Sequence, residues 1–227
     1  MISAARKIYC NYRARRAFFP TAFCVILLGF TSNATVPNAT STRIDLSSQA
    51  LARFASSHSM SDLRSAVDAL DGTIDIGNLT PENFISTRRA IVGAYARVLK
   101  AIEQSYDPTF NPSNPADLPE VCVKAPEGLP SCTDPMDVKN AQARAAYVAA
   151  IQANALKANR AARYQQLYNL DQGAMVGLSM SLDLLRKVAP TNIGPDFAAL
   201  DGILRQAGLS DARRAKIDAM FYARPQP

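Results

Sequence analysis

The sequence predicts an all-α fold, a helical bundle of about five or six helices built around one long central helix. Residues 137–188 consist largely of helix formers, so one helix can cover about 137–170 and continue, straight or kinked, to 188. No proline interrupts this segment before Pro190. Elsewhere the apolar residues recur at steps of three and four, which is the spacing of one buried helical face.

The composition allows an ordinary hydrophobic core, because 48% of the residues are hydrophobic. The formal net charge is +6, but five of the 25 basic residues lie before Phe18, and the first acidic residue is Asp45. The remaining 20 basic residues nearly balance the 19 acidic ones. Since the basic excess belongs to the amino terminus, we predict no nucleic-acid partner.

Residues 1–34 have the pattern of a cleaved signal peptide. A basic segment ends at Arg16, an apolar segment runs from Phe18 to Phe30, and small residues precede a cleavage position after Ala34. We therefore expect an exported protein, periplasmic or secreted, that meets a membrane only through an uncleaved leader. A retained anchor and a mitochondrial presequence are the alternatives.

The cysteine count agrees with export. Cleavage would remove Cys10 and Cys24 and leave Cys122 and Cys132 as an even pair. In an oxidising compartment such a pair predicts a structural disulfide. A redox or metal site would need closer spacing or further ligands, so we predict neither a metal nor a cofactor.

The mature chain is predicted to form a single helical domain, residues 45–222, between a flexible lead-in (35–44) and a frayed tail (223–227). The first helix covers 45–56. The second is capped by Ser61 and ends at Gly72 in a left-handed conformation.

The third helix has the clearest start, with Thr80 as N-cap and Pro81 at the first helical position. Its apolar positions continue to Tyr106. Seven of the 14 prolines then fall within residues 107–135, which also hold the cysteine pair. We interpret this segment as an ordered, disulfide-bonded connection that lets two long helices pack antiparallel.

The central helix is predicted to bury one alanine-rich face, with a bend or break near Gly173. That face consists of Val138, Ala141, Ala145, Val148, Ile151, Ala155, Ala158 and Ala162. Two short helices follow. Pro195 opens one that stops at Gly208, and Ser210 caps the other.

Catalytic motifs are not recognisable, and we predict no catalytic residue. His58 is the only histidine, and Gly-x-Ser-x-Gly and phosphate-binding glycine motifs are missing. The four glutamates are at positions 82, 103, 120 and 127. Glu82 and Glu103 would lie roughly 30 Å apart on one helix, too far to share a scissile bond.

Two features of the central helix are candidate contact sites. Lys157, Arg160, Arg163 and Tyr164 form a candidate surface for an anion or a partner, unless the acidic second helix neutralises them. The amides of Gln152 and Asn154 are candidates for fixing helix packing or register.

These features favour an exported, non-enzymatic protein that acts by surface contact with a protein or cell-envelope partner. One alternative is an envelope-directed hydrolase with a carboxylate pair assembled by the fold. The other is a membrane-anchored structural protein that retains its leader. The sequence leaves the oligomeric state open.

Overall fold

The computed structural model describes residues 36–72, 74, 76–126, 128–189 and 197–222. The predicted signal peptide, Pro195 and the predicted tail at 223–227 lie outside the described residues. All described residues belong to one compact unit.

Within the described residues the secondary structure is entirely helical, which confirms the predicted all-α class. The helices are α1 (Asn38–Ser57), α2 (Met60–Asp68), α3 (Pro81–Ser105), α4 (Ala141–Lys187), α5 (Phe197–Gln206) and α6 (Asp211–Tyr222). Short 3-10 helices cover Ile76–Asn78, Pro115–Asp117 and Pro135–Asp137. None of the described helices combines the length and the apolar character that a membrane span requires.

The first two helices form a hairpin whose ends differ from the prediction. α1 begins at Asn38 rather than Asp45, so most of the expected lead-in is helical. Ser59, not Ser61, is the N-cap of α2. Its backbone is extended, and its hydroxyl accepts a hydrogen bond from the backbone N–H of Ser61. The buried Ser47 hydroxyl donates to the carbonyl of Ala66 at 2.8 Å and joins the two helices.

The start of α3 is as predicted. The Thr80 hydroxyl accepts from the backbone N–H of Asn83, the Asn83 side chain accepts from the Thr80 N–H at 2.8 Å, and Pro81 follows the cap. The helix provides the largest share of the core. Its buried apolar side chains are Phe84, Ile91, Val92, Ala94, Tyr95, Ala96, Val98, Leu99 and Ile102.

The predicted long helix is confirmed as α4, which has 47 residues and passes Gly173 as continuous α-helix. At 1.5 Å per residue its length is about 70 Å. Its carboxyl-terminal half packs into the main core beside α3. The buried residues of that half are Leu167, Leu170, Asp171, Ala174, Met175, Leu178, Ser181 and Leu185.

The predicted burial of the amino-terminal half of α4 is wrong. Val138 is buried and Val148 and Ile151 are half-buried, but the five alanines of the predicted face are exposed. The buried line instead passes through Tyr147. Alanines occupy several sides of this helix and gain little from leaving water, and the loop covers the side that carries Tyr147 and Ile151.

The carboxyl-terminal helices close the other end of the core. Gly208 has φ +75° and ends α5, as predicted, and the Ser210 hydroxyl accepts from the backbone N–H of Arg213 at 3.3 Å. The Arg213 guanidinium then forms a buried ion pair with Asp171 of α4 at 2.5 Å. These contacts attach α6 to the middle of the long helix.

Candidate functional site

The proline-rich loop, residues 106–140, covers one side of the amino-terminal half of α4. Its predicted disulfide is present between Cys122 and Cys132, whose Cα atoms are 5.1 Å apart. A second, small core lies between the loop and the helix. The residues of this core are Ala125, Val138 and Tyr147, with Val123, Leu129, Ala143 and Ile151 packed around them.

Polar contacts fix the loop against the first turns of the helix. The Tyr147 hydroxyl donates to the carbonyl of Thr133 at 3.1 Å, and Arg144 Nε donates to the carbonyl of Val138 at 2.8 Å. Both bonds satisfy loop carbonyls that would otherwise lose water when the loop packs on the helix. The disulfide-bonded part of the loop is therefore held by covalent, apolar and polar contacts together.

Asn154, one of the two candidate amides, binds the loop backbone directly. Its side-chain nitrogen donates to the carbonyl of Glu120, and its side-chain oxygen accepts from the N–H of the same residue, both at 2.8 Å. An amide side chain here pairs with a peptide group much as a neighbouring strand would. Gln152, the other candidate, is exposed. Of the two candidate amides, Asn154 is thus the one that contacts the loop.

The candidate basic surface lies where the loop leaves α3. Arg160 is engaged, since its Nε donates to Asp107 at 2.9 Å and its Nη2 to the Thr109 hydroxyl at 2.8 Å. The hydroxyl and backbone N–H of Thr109, together with the Arg160 guanidinium, hold the pKa of Asp107 below its ordinary value. The acid that neutralises Arg160 therefore comes from the loop and not from the second helix.

Aromatic rings fill the same corner. The Tyr164 ring packs at a tilt between those of Tyr106 and Phe110, with centroids 5.3 Å from each. The Arg160 guanidinium lies 5.7 Å from the Phe110 centroid. Burial, with the negative charge of Asp171 second, raises the pKa of Tyr106 to about 12. A tyrosine of this kind keeps its proton at neutral pH.

The cavity at this corner is small. It measures about 50 Å³ and is lined by Asp107, Phe110, Arg160, Arg163, Tyr164 and Leu167. Pockets for small organic ligands usually measure about 300–1,000 Å³, so this cavity fits a few waters at most. Of the predicted group, Tyr164 and Arg160 are used in packing, Lys157 is half-buried, and Arg163 is exposed.

The opposite side of the amino-terminal half of α4 is an exposed stripe, which we call the alanine face. It consists of Ala145, Ala149, Gln152, Leu156, Asn159 and Arg163, all exposed. At 100° per residue these six positions fall within about 80° of one another. Leu156 is the one large apolar side chain among them, and it is 65% exposed.

The alanine face continues the face that packs in the main core. At the same 100° per residue, Leu167, Leu170, Ala174 and Leu185 project along the direction of Ala149 and Leu156. Those four are buried by the bundle, whereas the alanine face is not covered by any described residue. One continuous helical surface thus packs against the bundle in one half and, in the other, contacts no covering element among the described residues.

The structure also places the residues considered for catalysis. His58 is exposed and ends α1 at φ +51°. Glu82 and Glu103 lie near opposite ends of α3, Glu120 is exposed in the loop, and Glu127 lies outside the described residues. Among the described residues no group of three or more His, Cys, Asp or Glu side chains is arranged to hold a metal ion.

Comparison of the chain with protein-family models, with curated proteins and with solved structures finds no match in any of the three. The alanine face is the feature that the sequence analysis missed. The sequence does show an indication of this face, because Leu156 is the only large apolar residue among the positions of the alanine face between Ala141 and Asn159.

Proposed function

We propose that this protein is an exported, non-enzymatic helical protein that acts by surface contact with a protein or cell-envelope partner. The single observation that carries the proposal is the alanine face, a helix-packing surface that extends beyond the bundle without a covering element among the described residues. A helix with an apolar stripe normally buries it against another element.

The chemistry of the alanine face suits another helix. Alanine side chains at Ala145 and Ala149 let a second helix axis approach to about 8 Å, the short end of the usual range. Leu156 supplies a side chain large enough to fill the space beside such small residues. Gln152, Asn159 and Arg163 keep the stripe soluble when it is not occupied.

The loop on the opposite side supports the same proposal. The Cys122–Cys132 disulfide closes the loop on itself, and the Asn154–Glu120 pair holds the loop on α4, so the alanine face belongs to a supported helix. A preorganised surface loses less conformational entropy on binding. Disulfides are typical of oxidising compartments, and this agrees with the predicted export.

The test is site-specific photocrosslinking in the cells that make the protein. A photoreactive amino acid replaces Leu156 on the alanine face or, as the matched control, Ala158, which is exposed on the opposite side of the same helix. We expect covalent adducts from position 156 and none from position 158. Absence of adducts at 156 in protein recovered from the oxidising compartment would contradict the proposed function.

A further inference from the structure

The alanine face has the properties of a self-complementary surface. We infer that its partner is a second copy of this chain, and that the two α4 helices pack antiparallel with a twofold axis beside Gln152. This inference rests on the proposed function and names the partner. Most soluble oligomers are homo-oligomers of closed symmetry, and a twofold contact uses the same patch on both copies.

Side-chain size supports this register. Ala149 lies three residues before Gln152, and Leu156 lies four residues after it. The midpoint of positions 149 and 156 lies between residues 152 and 153, so an antiparallel pair with its axis there brings Leu156 of each copy opposite the partner's Ala149. Each large side chain then fills the space above a small one, which is the packing that closely approaching helices require.

Like charge disfavours the parallel arrangement. Every charged residue between Val138 and Leu170 is basic, so a parallel pair would bring Arg163 beside its own copy. The antiparallel pair instead separates the two Arg163 side chains and brings each to the level of the partner's first helical turn, which the exposed Asp137 and Lys139 precede. Arg163 makes no ion pair with any described residue of its own chain.

The central amide fits the symmetry. Gln152 is exposed on the alanine face, and on a twofold axis it would meet its own copy. An amide group is both a donor and an acceptor, so two glutamines can bond to each other. A polar residue at one position of a helix–helix contact fixes register and orientation.

The contact area is adequate for a reversible dimer. The alanine face spans residues 145–163, which is about 27 Å of helix at 1.5 Å per residue. Two helices in contact over this length bury in total on the order of 1,000 Å², the lower limit for a specific interface. We therefore expect dissociation at about micromolar concentrations.

Sedimentation of the purified protein from about 1 to 200 µM tests the inference. We expect a monomer–dimer equilibrium that Ala149→Glu shifts at least tenfold towards monomer, since the new carboxylates would be buried beside leucine. The matched control is Ala158→Glu, which adds the same charge to the opposite side of the helix. It should leave the equilibrium unchanged. Circular dichroism verifies that both variants retain the wild-type helix content.

A second experiment tests the register. Under mild oxidation, Gln152→Cys should form a disulfide-linked dimer on a non-reducing gel, because a residue on the twofold axis meets its own copy. Ala158→Cys should stay monomeric. A monomer at every concentration, a dimer indifferent to Ala149→Glu, or a Gln152→Cys variant that does not crosslink would each overturn the inference.

The two proposals fail differently. If the protein is monomeric and position 156 still forms adducts with a different protein, the proposed homodimer is wrong and the proposed function stands. If position 156 crosslinks only to a second copy of this chain, the proposed homodimer is supported. If neither a dimer nor any adduct appears, both proposals are wrong.

Discussion

Gly177 lies at a close approach between α3 and α4. A Cβ atom built on it would lie 2.6 Å from the Tyr95 hydroxyl oxygen and 3.2 Å from two carbons of that ring. The ring cannot move away easily, because it is buried and its hydroxyl donates to the carbonyl of Leu70 at 2.9 Å. The absence of a side chain at position 177 therefore sets the distance between the two helices.

Gly177→Ala should lower the free energy of unfolding by about 1–3 kcal/mol, the usual cost of overpacking a core. The matched control is Gly173→Ala, one turn earlier in the same helix, where nothing lies within 4 Å of an added Cβ. That change should raise stability by about 0.5–1 kcal/mol, because alanine loses less backbone entropy than glycine. Urea denaturation measures both. Equal effects of the two substitutions would contradict the close contact.

The sequence predicts single residues well where neighbouring atoms alone determine the local structure. Thr80 and Pro81 begin α3 and Gly208 ends α5 because caps and left-handed turns depend on a few neighbouring atoms. Cys122 and Cys132 were paired by elimination, and the structure joins them. Ser59 was missed in favour of Ser61, because a run of serines offers several equivalent caps and the sequence does not choose among them.

At the scale of elements, the long helix was predictable but its covered side was not. Helix propensity and the lack of proline suffice to predict α4. Alanine contributes little apolar area, so alanine periodicity does not tell which face a loop will cover. Tyr147, Ile151 and Tyr164 carry that information, and the aromatic and branched residues of the loop are their partners.

Asn154 supplies the element-scale prediction, since it connects α4 to the loop. Asn154→Ala should cost about 1–2 kcal/mol relative to Asn159→Ala, because it removes two hydrogen bonds. Both substitutions gain the same helix propensity, and Asn159 is exposed in the monomer, so it is a matched control at concentrations below those at which the proposed dimer forms. Chemical denaturation measures the difference.

Hydrogen exchange gives a local readout of the same contact. The Glu120 N–H donates to Asn154, so it should exchange faster in Asn154→Ala and at the wild-type rate in Asn159→Ala. Unchanged exchange at Glu120 in both variants would show that the loop does not depend on this amide.

At the scale of the molecule, the candidate site arises from contacts distant in sequence. The basic group of α4 was predicted from spacing, but its neutralisation by Asp107, more than 50 residues away, was not. Composition cannot reveal which acid a cation meets, because exposed ion pairs are worth only about 0–1 kcal/mol and do not determine the fold. The free side of α4 follows from the path of the loop, which also depends on tertiary packing.

The Asp171–Arg213 pair connects α6 to α4 and carries the prediction for the whole molecule. Only 7% of the Asp171 side chain and 11% of the Arg213 side chain are exposed. Asp171→Leu alone leaves a buried guanidinium without its partner, so it should lower the free energy of unfolding by about 3–5 kcal/mol. Adding Arg213→Met should recover much of that loss, because both charges are then replaced by apolar groups.

The matched control for this cycle is the Asp107–Arg160 pair, whose side chains are 42% and 39% exposed. Its coupling energy should be about 0–1 kcal/mol, as for other exposed pairs. Thermal and urea unfolding of the single and double variants give both coupling energies. A buried pair with no more coupling than the exposed one would mean that α6 is held by its other contacts, among them the buried Ile217 and the Arg214–Asp201 ion pair.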